Sequence, residues 1–499
     1  MLQKLSASQE CDVLIIGGGA TGLGIALDSA ARGNKTILVE KSDFAKATSS
    51  RSTKLIHGGV RYLEQGNISL VMEALHERWH MLRNAPSCTS LVQFVLPVYN
   101  LWSRIYYYTG LKLYEWLSGW YRIGRTRWMD KQEVLAQIPD LEADYLLGGV
   151  LYHDGQFNDS LLCIRLAQAA AERGAVVINY MECTDLIKSG DKVTGIKAVD
   201  LCQNKEYDIH ARCIINATGV FGDEIMTKEN PGHLDIMSPS IGVHVVVNKD
   251  ERFKDYGLLV PKTTDGRVLF AMPWMGKLVI GTTDSPSKNH TQEPKAPEED
   301  VWFILKNINR YLSRKLQPSD IQSVFAGIRP LVKGGKQDKT SSLSRSHTII
   351  QGPGGIWTIT GGKWTTYRKM AEDLLNRASV LSGLSMKPCS TKNISLERYY
   401  PLVEASEYPE IHEKIHPSFD YRYLDVYNAV MYEMAQCPED VLARRTRILF
   451  LDAKAAQEAA PGVTRFMQKL LHKDENWAAD QIQRFNTLAS QYIFHPSTQ

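Results

Sequence analysis

Asp12-Val-Leu-Ile-Ile-Gly17-Gly-Gly19-Ala-Thr-Gly22-Leu-Gly24, with Val39-Glu40 closing the unit that follows, decides how this chain begins to fold. Asp12 to Ile16 is an apolar run of strand length. Gly17, Gly19 and Gly22 have G-x-G-x-x-G spacing, and Ala26 to Arg32 reads as a helix ended by Gly33-Asn34. Thr36-Ile-Leu-Val39 is a second strand, and Glu40 lies 18 positions after Gly22. Each residue type has a physical reason. Gly17 permits a tight turn, Gly19 lets backbone approach a pyrophosphate, and Gly22 lets helix pack on strand. The helix N-terminus faces the phosphates. A carboxylate at Glu40 accepts from a ribose diol and repels a 2′-phosphate. The order strand, glycine turn, helix, strand, acid predicts a dinucleotide-binding βαβ unit.

Outside that unit the bulk properties set bounds. A chain of 499 residues exceeds one ordinary core, so two or three domains are expected. Hydrophobic residues at 43% and charged residues at 23% are those of a globular protein, and a net charge of +3 gives no reason to propose nucleic acid. The eight cysteines (11, 88, 163, 183, 202, 213, 389, 437) include no C-x-x-C pair, which argues against a zinc site and a disulfide framework and fits a reducing compartment. Met1 to Cys11 lacks an apolar signal-peptide core, and no run of about 18 apolar residues predicts a spanning helix.

Further along, Leu162 to Arg173 reads as a helix and Gly174 to Asn179 as a strand. Lys188 to Tyr207 alternates like a hairpin turning at Ser189-Gly-Asp. Cys213-Ile-Ile-Asn-Ala-Thr-Gly219 is a strand entering a glycine turn. Val243 to Val247, Arg267 to Met272 and Lys277 to Ile280 look like a second, antiparallel sheet. Thr348 to Ile350 and Trp357 to Thr360 are strands, and Thr365 to Ser382 is a helix. Tyr421 to Met434, Glu439 to Arg447, Ala453 to Ala459 and Val463 to Leu488 are helical by period. The expected division is a discontinuous dinucleotide domain over 1–85, 147–235 and 322–385, a surface or cap insertion over 86–146, a substrate sheet over 236–321, and a separate all-helical domain over 390–499.

A nicotinamide enzyme keeps its nucleotide domain in contiguous βαβ units, whereas strands suited to the first sheet return here after residue 320. Asn216-Ala-Thr-Gly219 resembles the turn that passes near the FAD phosphates in flavoproteins. The hydroxyl-rich loop Thr48-Ser49-Ser50-Arg-Ser-Thr-Lys54 suits pyrophosphate oxygens or a flavin ring. Ala47-Thr-Ser-Ser-Arg-Ser-Thr-Lys-Leu-Ile-His57-Gly-Gly-Val-Arg61-Tyr62-Leu-Glu64 then resembles the signature of FAD-dependent, respiratory-type glycerol-3-phosphate dehydrogenases. Gly281-Thr-Thr-Asp284, Gly327-Ile-Arg329-Pro330, Gly361-Gly-Lys363-Trp-Thr-Thr-Tyr-Arg-Lys369 and Glu439-Asp-Val-Leu-Ala-Arg-Arg-Thr-Arg447 agree with it. The resemblance runs from residue 11 to about 480. It implies an α/β, D-amino-acid-oxidase-like FAD-binding fold with an inserted antiparallel substrate sheet and an all-α C-terminal domain. It further implies non-covalent FAD and oxidation of sn-glycerol 3-phosphate to dihydroxyacetone phosphate, with electrons passed to quinone.

That chemistry needs several fixed cations for a phosphate dianion, and a base for the alcohol proton. The resemblance assigns Arg61 and Arg345 to the phosphate, and Arg329 and Lys363 to the region of the reacting hydroxyl, with Tyr62 as a substrate donor or cover. A lone arginine is more often a solvated charge or salt bridge, but Arg61 and Arg329 sit in glycine-flanked apolar contexts. His244, on the apolar run Ile241-Gly-Val-His-Val-Val-Val, is the expected base, with His57 and Lys363 as alternatives. Expected cofactor contacts are Gly17, Gly19, Gly22, Glu40, Thr48, Ser49, Ser50, His57, Gly58, Cys183 (through backbone), Ala217, Gly219, Gly362, Lys363 and Thr365, and no metal is expected. Gly361 to Thr365 opens a helix whose amides suit the pyrimidine end of an isoalloxazine.

Tyr99 to Met129 is rich in Trp and Tyr. Leu113, Trp116, Leu117, Trp120 and Ile123 share one helical face, and Lys112, Glu115, Ser118 and Arg122 another. Amphipathicity most often marks a core helix, but with Trp102 and Trp128 nearby this pattern fits an interfacial helix. The expected location is therefore cytoplasmic, attached monotopically to the inner face of the cytoplasmic membrane, with a homodimer as one use of the C-terminal helices. The competing readings are an oxygen-using glycerol-3-phosphate oxidase, whose inserted flavin-domain segment finds no room here, a related FAD-dependent amino-acid oxidase or dehydrogenase, and a flavoprotein kept as a binding subunit.

Overall fold

The fold is given by a computed structural model that describes residues 1–60, 63, 66–287, 290–333, 347–384, 387–403 and 406–497. Two sheets organise it. In the first, Glu10–Ile16 pairs in parallel with Thr36–Val39 on one side and Lys205–Asn216 on the other. Val176–Ile178 and Trp357–Gly361 extend it in parallel, and His347–Gln351 closes it antiparallel. Val13, Leu14, Ile15 and Ile16 are all buried, as a strand covered on both faces requires. The helices Ala20–Ala31, Asp159–Glu172 and Tyr367–Ser382 bury their apolar faces in one core with it. Two glycines are dictated by contact. Gly17 has φ +112°, and a Cβ there would meet Ala217 O at 2.6 Å; a Cβ on Gly22 would meet Gly17 O at 1.9 Å.

The second sheet runs, among the described residues, Ser285–Pro286, Ser240–Asn248, Lys277–Gly281, Leu269–Trp274, Tyr256–Val260, Thr89–Val98, Gly148–Phe157 and Leu55–Ile56. Ile321–Arg329 lies beside Ser240–Asn248, and Arg127–Asp130 beside Gly148–Phe157. It is antiparallel except where Tyr256–Val260 meets Thr89–Val98. Sheet membership differs from the expected division. Gly148–Phe157 and Ile321–Arg329, assigned above to the dinucleotide domain, are strands of the second sheet. The 86–146 segment is not wholly a surface insertion, since it supplies Thr89–Val98 to the centre of that sheet. Strand periodicity identifies a strand but not the sheet that receives it.

The C-terminal region is helical among its described residues, with Tyr423–Glu433, Ala453–Leu470 and Glu475–Ala489 as its main helices. It packs closely on the second sheet. Phe450, Val463 and Phe466 share a core with Val246, Trp274 and Phe325 of the second sheet. The other face of that sheet packs against Val301, Ile304 and Ile308 of the helix Glu298–Ile308. Pro461 does not end a helix, contrary to the expected break there: Ala453–Leu470 runs through it. Ala455, Ala456, Ala459 and Ala460 before the proline and Val463, Phe466 and Met467 after it are all buried, so packing outweighs the lost backbone bond. The break comes later, where the Asp474 side chain accepts from Trp477 N and caps the next helix.

Candidate active site

A cavity of about 1090 Å³ lies between the two sheets. Ordinary small-molecule pockets span roughly 300–1,000 Å³, so this one has room for a dinucleotide and a small substrate together. One end is lined by Gly17, Gly19, Glu40, Thr48, Ser49, Cys183, Ala217 and Gly219. The other is lined by His57, His244, Arg329, Gly362, Lys363 and Thr365, with Tyr152, Leu111 and Phe270.

At the first end the βαβ unit builds a cradle. Glu40 Oε2 accepts from Gly18 N at 2.7 Å and Oε1 from Ser42 N at 2.9 Å. Burial raises its proton affinity, and those two amide bonds oppose the rise. Ser49 Oγ accepts from Ala20 N at 2.9 Å, at the first turn of the helix Ala20–Ala31. Thr48 Oγ1 donates to Ile328 O at 2.6 Å, and Trp364 Nε1 donates to Ser49 O at 2.9 Å. The hydroxyl-rich loop therefore bridges the glycine turn, the second sheet and the turn that opens the helix Tyr367–Ser382. A narrow glycine-walled slot, a buried carboxylate at the second strand and a helix N-terminus together fit the adenosine and pyrophosphate of FAD. Burial pushes the Cys183 thiol up to about 12, consistent with a contact through backbone alone.

At the second end His244 lies mid-strand in Ser240–Asn248 and is buried. Its Nε2 is 3.0 Å from Thr53 Oγ1, and its ring stacks on Phe325 at 4.7 Å. Burial, then the charges of Lys54 and Arg329, hold its proton affinity well below the usual histidine range. Arg329, the last residue of its strand, donates from Nη1 to Asp284 Oδ1 at 2.8 Å and from Nη2 to Thr282 Oγ1 at 3.1 Å and Thr283 O at 3.0 Å. Its guanidinium is thus oriented before any substrate arrives. Lys363 follows Gly361 and Gly362, both in the left-handed region at φ +74° and +73°.

Most of the residues singled out in the sequence converge on this cavity. Three do not line it. Gly22 lies beneath the turn, where it lets the helix pack on Gly17. Ser50 turns inward: its carbonyl accepts from Lys54 Nζ and Arg447 Nη2, each at 2.7 Å. Gly58 packs against Leu75 and Tyr114, and its N–H donates to Tyr114 Oη at 2.7 Å. Arg61, Tyr62 and Arg345 lie outside the described residues. Sequence reasoning passed over Thr53 and Asp284, although both stand inside quoted motifs.

The comparisons agree with this geometry. The family described as FAD dependent oxidoreductase matches residues 12–368, and the C-terminal domain of alpha-glycerophosphate oxidase matches residues 397–478. The chain is 36% identical to mitochondrial glycerol-3-phosphate dehydrogenase of Rattus norvegicus over 547 residues, covering 99% of this chain and 74% of that protein. The X-ray structure of glycerol-3-phosphate dehydrogenase from Bacillus halodurans, complexed with FAD, matches with a TM-score of 0.76 and 27% identity, over 98% of this chain and 97% of that one. L-alpha-glycerophosphate oxidase of Mycoplasma pneumoniae shares the fold, with a TM-score of 0.60 and 17% identity over 79% of this chain and 100% of that one. With a glycine-walled slot that fits FAD and a likeness over nearly its full length, the chain belongs to the FAD-dependent glycerol-3-phosphate dehydrogenase family.

Proposed function

We propose that this chain oxidises sn-glycerol 3-phosphate to dihydroxyacetone phosphate and passes the electrons to a membrane quinone. FAD, when bound, supplies the acceptor for the hydride leaving C2. The observation that carries the reading is the meeting of His244, Arg329 and Lys363 in one cavity with the glycine cradle. Arg329, locked by Asp284, orients the substrate's oxygens. Arg61 and Arg345 hold the phosphate, with Tyr62 beside Arg61. His244, neutral because it is buried beside cations, takes the proton of the C2 hydroxyl. The backbone amides of the Gly361–Thr365 turn, which lines the cavity, would hold the pyrimidine end of FAD and stabilise negative charge there.

The acceptor is reached from a membrane surface. In the helix Leu101–Leu117, Leu111, Tyr114 and Leu117 are buried, so Leu117 belongs to the inner face and not to the outer one expected above. The outer surface keeps Trp102 at 83%, Trp116 at 75% and, just past the helix, Trp120 at 100% exposure. Exposed tryptophans of this density support an interfacial role. No described helix is long and apolar enough to cross a membrane. Leu111 and Leu113 of the same helix line the apolar end of the cavity, so the electron acceptor has a short path from lipid to flavin. Assaying peroxide against reduction of a quinone analogue separates the two acceptors: the reading predicts quinone reduction with little peroxide, and stoichiometric peroxide would make the chain an oxidase.

A further inference from the structure

We propose that Thr53 is a positioning residue for His244, and that a buried cluster of Lys54, Asp159 and Arg447 holds it there, so that the helical C-terminal region takes part in the substrate site. The inference rests on the assignment of His244 as proton acceptor and deepens it.

His244 Nε2 meets Thr53 Oγ1 at 3.0 Å, while Nδ1 has no hydrogen-bond partner among the described residues. Stacking on Phe325 fixes the plane of the ring, and the Thr53 hydroxyl fixes its rotation within that plane. Thr53 itself lies in an irregular stretch, and such a stretch does not position an atom unaided. Here it is held from both sides. Asp159 Oδ2 accepts from Ser52 N at 3.1 Å, from Ser52 Oγ at 2.7 Å and from Lys54 Nζ at 2.7 Å. The Ser50 carbonyl accepts from Lys54 Nζ and from Arg447 Nη2. Arg447 Nη2 also lies 3.3 Å from Asp159 Oδ1, and Arg447 Nη1 donates to Ala443 O at 2.7 Å. Lys54, Asp159 and Arg447 are all fully buried.

Two basic side chains around one fully buried carboxylate form a costly arrangement that persists only where the surroundings specify it. Joining the C-terminal region to the first domain does not by itself require it, because Arg444 and Arg445 already do so through Asp43. What the cluster adds is a fixed loop beside the imidazole. The ionisable groups around His244 include Lys54 from the loop and Arg329 from the strand Ile321–Arg329, with Asp284 paired to Arg329, and Lys363 lines the same cavity. Behind Lys54 stand Asp159 from the helix Asp159–Glu172 and Arg447 from the C-terminal region.

The test uses the FAD-loaded full chain and records kcat, KM and the pH profile of kcat/KM with a soluble electron acceptor. Thr53→Val is expected to lower kcat about ten-fold or more, with KM for glycerol 3-phosphate and flavin content nearly unchanged, and Thr53→Ser to restore most of the loss. Lys54→Met is expected to lower kcat as Thr53→Val does, because the contacts from Lys54 Nζ to Asp159 Oδ2 and to the Ser50 carbonyl that hold the loop are gone. Arg447→Lys keeps the charge but not the forked contact, and is expected to lower kcat as Thr53→Val does. Wild-type kcat and profile in Thr53→Val overturn the inference, and that variant decides it even if Lys54→Met does not fold. Wild-type kcat in Arg447→Lys removes the C-terminal region from it. His244→Gln separates the two levels. An active His244→Gln with its acid limb intact sinks the base assignment, whereas an inactive one beside a normal Thr53→Val sinks only the positioning role.

Discussion

In the proposed function the proton transfer falls to one side chain, His244. General acid–base groups contribute about 10²–10⁴-fold to rate, so His244→Ala is expected to lower kcat by about 100-fold or more while flavin content stays unchanged, read by steady-state assay and visible absorbance. Its proton affinity is depressed below the usual 6.5, so the ring is still neutral at pH values where an ordinary histidine is charged. The acid limb of kcat/KM is therefore expected below about pH 6.5, and a limb above it would contradict the burial argument. Arg329→Lys keeps a charge but loses the fork that Asp284, Thr282 and Thr283 orient. A rise in KM for glycerol 3-phosphate of about ten-fold is expected. The glycine fingerprint, His244 and Arg329 stand out in the sequence by local context and Lys363 by family resemblance, and all of them but Gly22 line the cavity. Thr53 and Asp284 do not stand out in this way. A threonine in a polar loop is unremarkable until the fold brings it to a histidine 191 positions away.

Among the elements, the π-helix Asp440–Arg445 shows what the Glu439–Arg447 motif is for. Arg444 bonds Asp43 at 2.5 Å, Glu439 at 2.6 Å and Asp440 at 2.6 Å, and Arg445 bonds Asp43 at 2.5 Å. Removing one member strands buried charges, at a cost of about 3–5 kcal/mol. Arg444→Met is accordingly expected to lower the thermal midpoint by several degrees, and an unchanged midpoint would refute the clamp. The cluster also dictates an acid response. Burial alone would raise the Glu439 carboxyl, but Lys46 and Arg444 overcome it and hold it at about 2. A carboxyl depressed in the folded state stabilises above its unfolded value and loses that contribution as pH falls towards its folded one. Tm is expected to drop progressively between about pH 4.5 and about pH 2, and Glu439→Gln to flatten that drop. The sequence marked this motif but not the strands Gly148–Phe157 and Ile321–Arg329, which only the structure places in the second sheet. An apolar strand reads alike in either sheet, and the partner of the adjacent Arg444 and Arg445 is Asp43, some 400 residues earlier, which no local pattern announces.

For the whole molecule, the proposed function asks two surfaces to work together, a cavity for a polar phosphate ester and an exposed tryptophan-bearing face for lipid. Replacing Trp102, Trp116 and Trp120 by Glu is expected to abolish sedimentation with phospholipid vesicles while leaving turnover with a soluble acceptor within about two-fold, because these side chains point away from the core. Vesicle binding that survives all three changes would remove the membrane role of this face. The central claim is that the cavity joins glycerol 3-phosphate to a flavin. Its most direct test is anaerobic titration of the FAD-loaded protein with sn-glycerol 3-phosphate, followed by visible absorbance. The account predicts bleaching of the flavin with one dihydroxyacetone phosphate formed for each flavin reduced. A spectrum that stays oxidised under saturating substrate would contradict it.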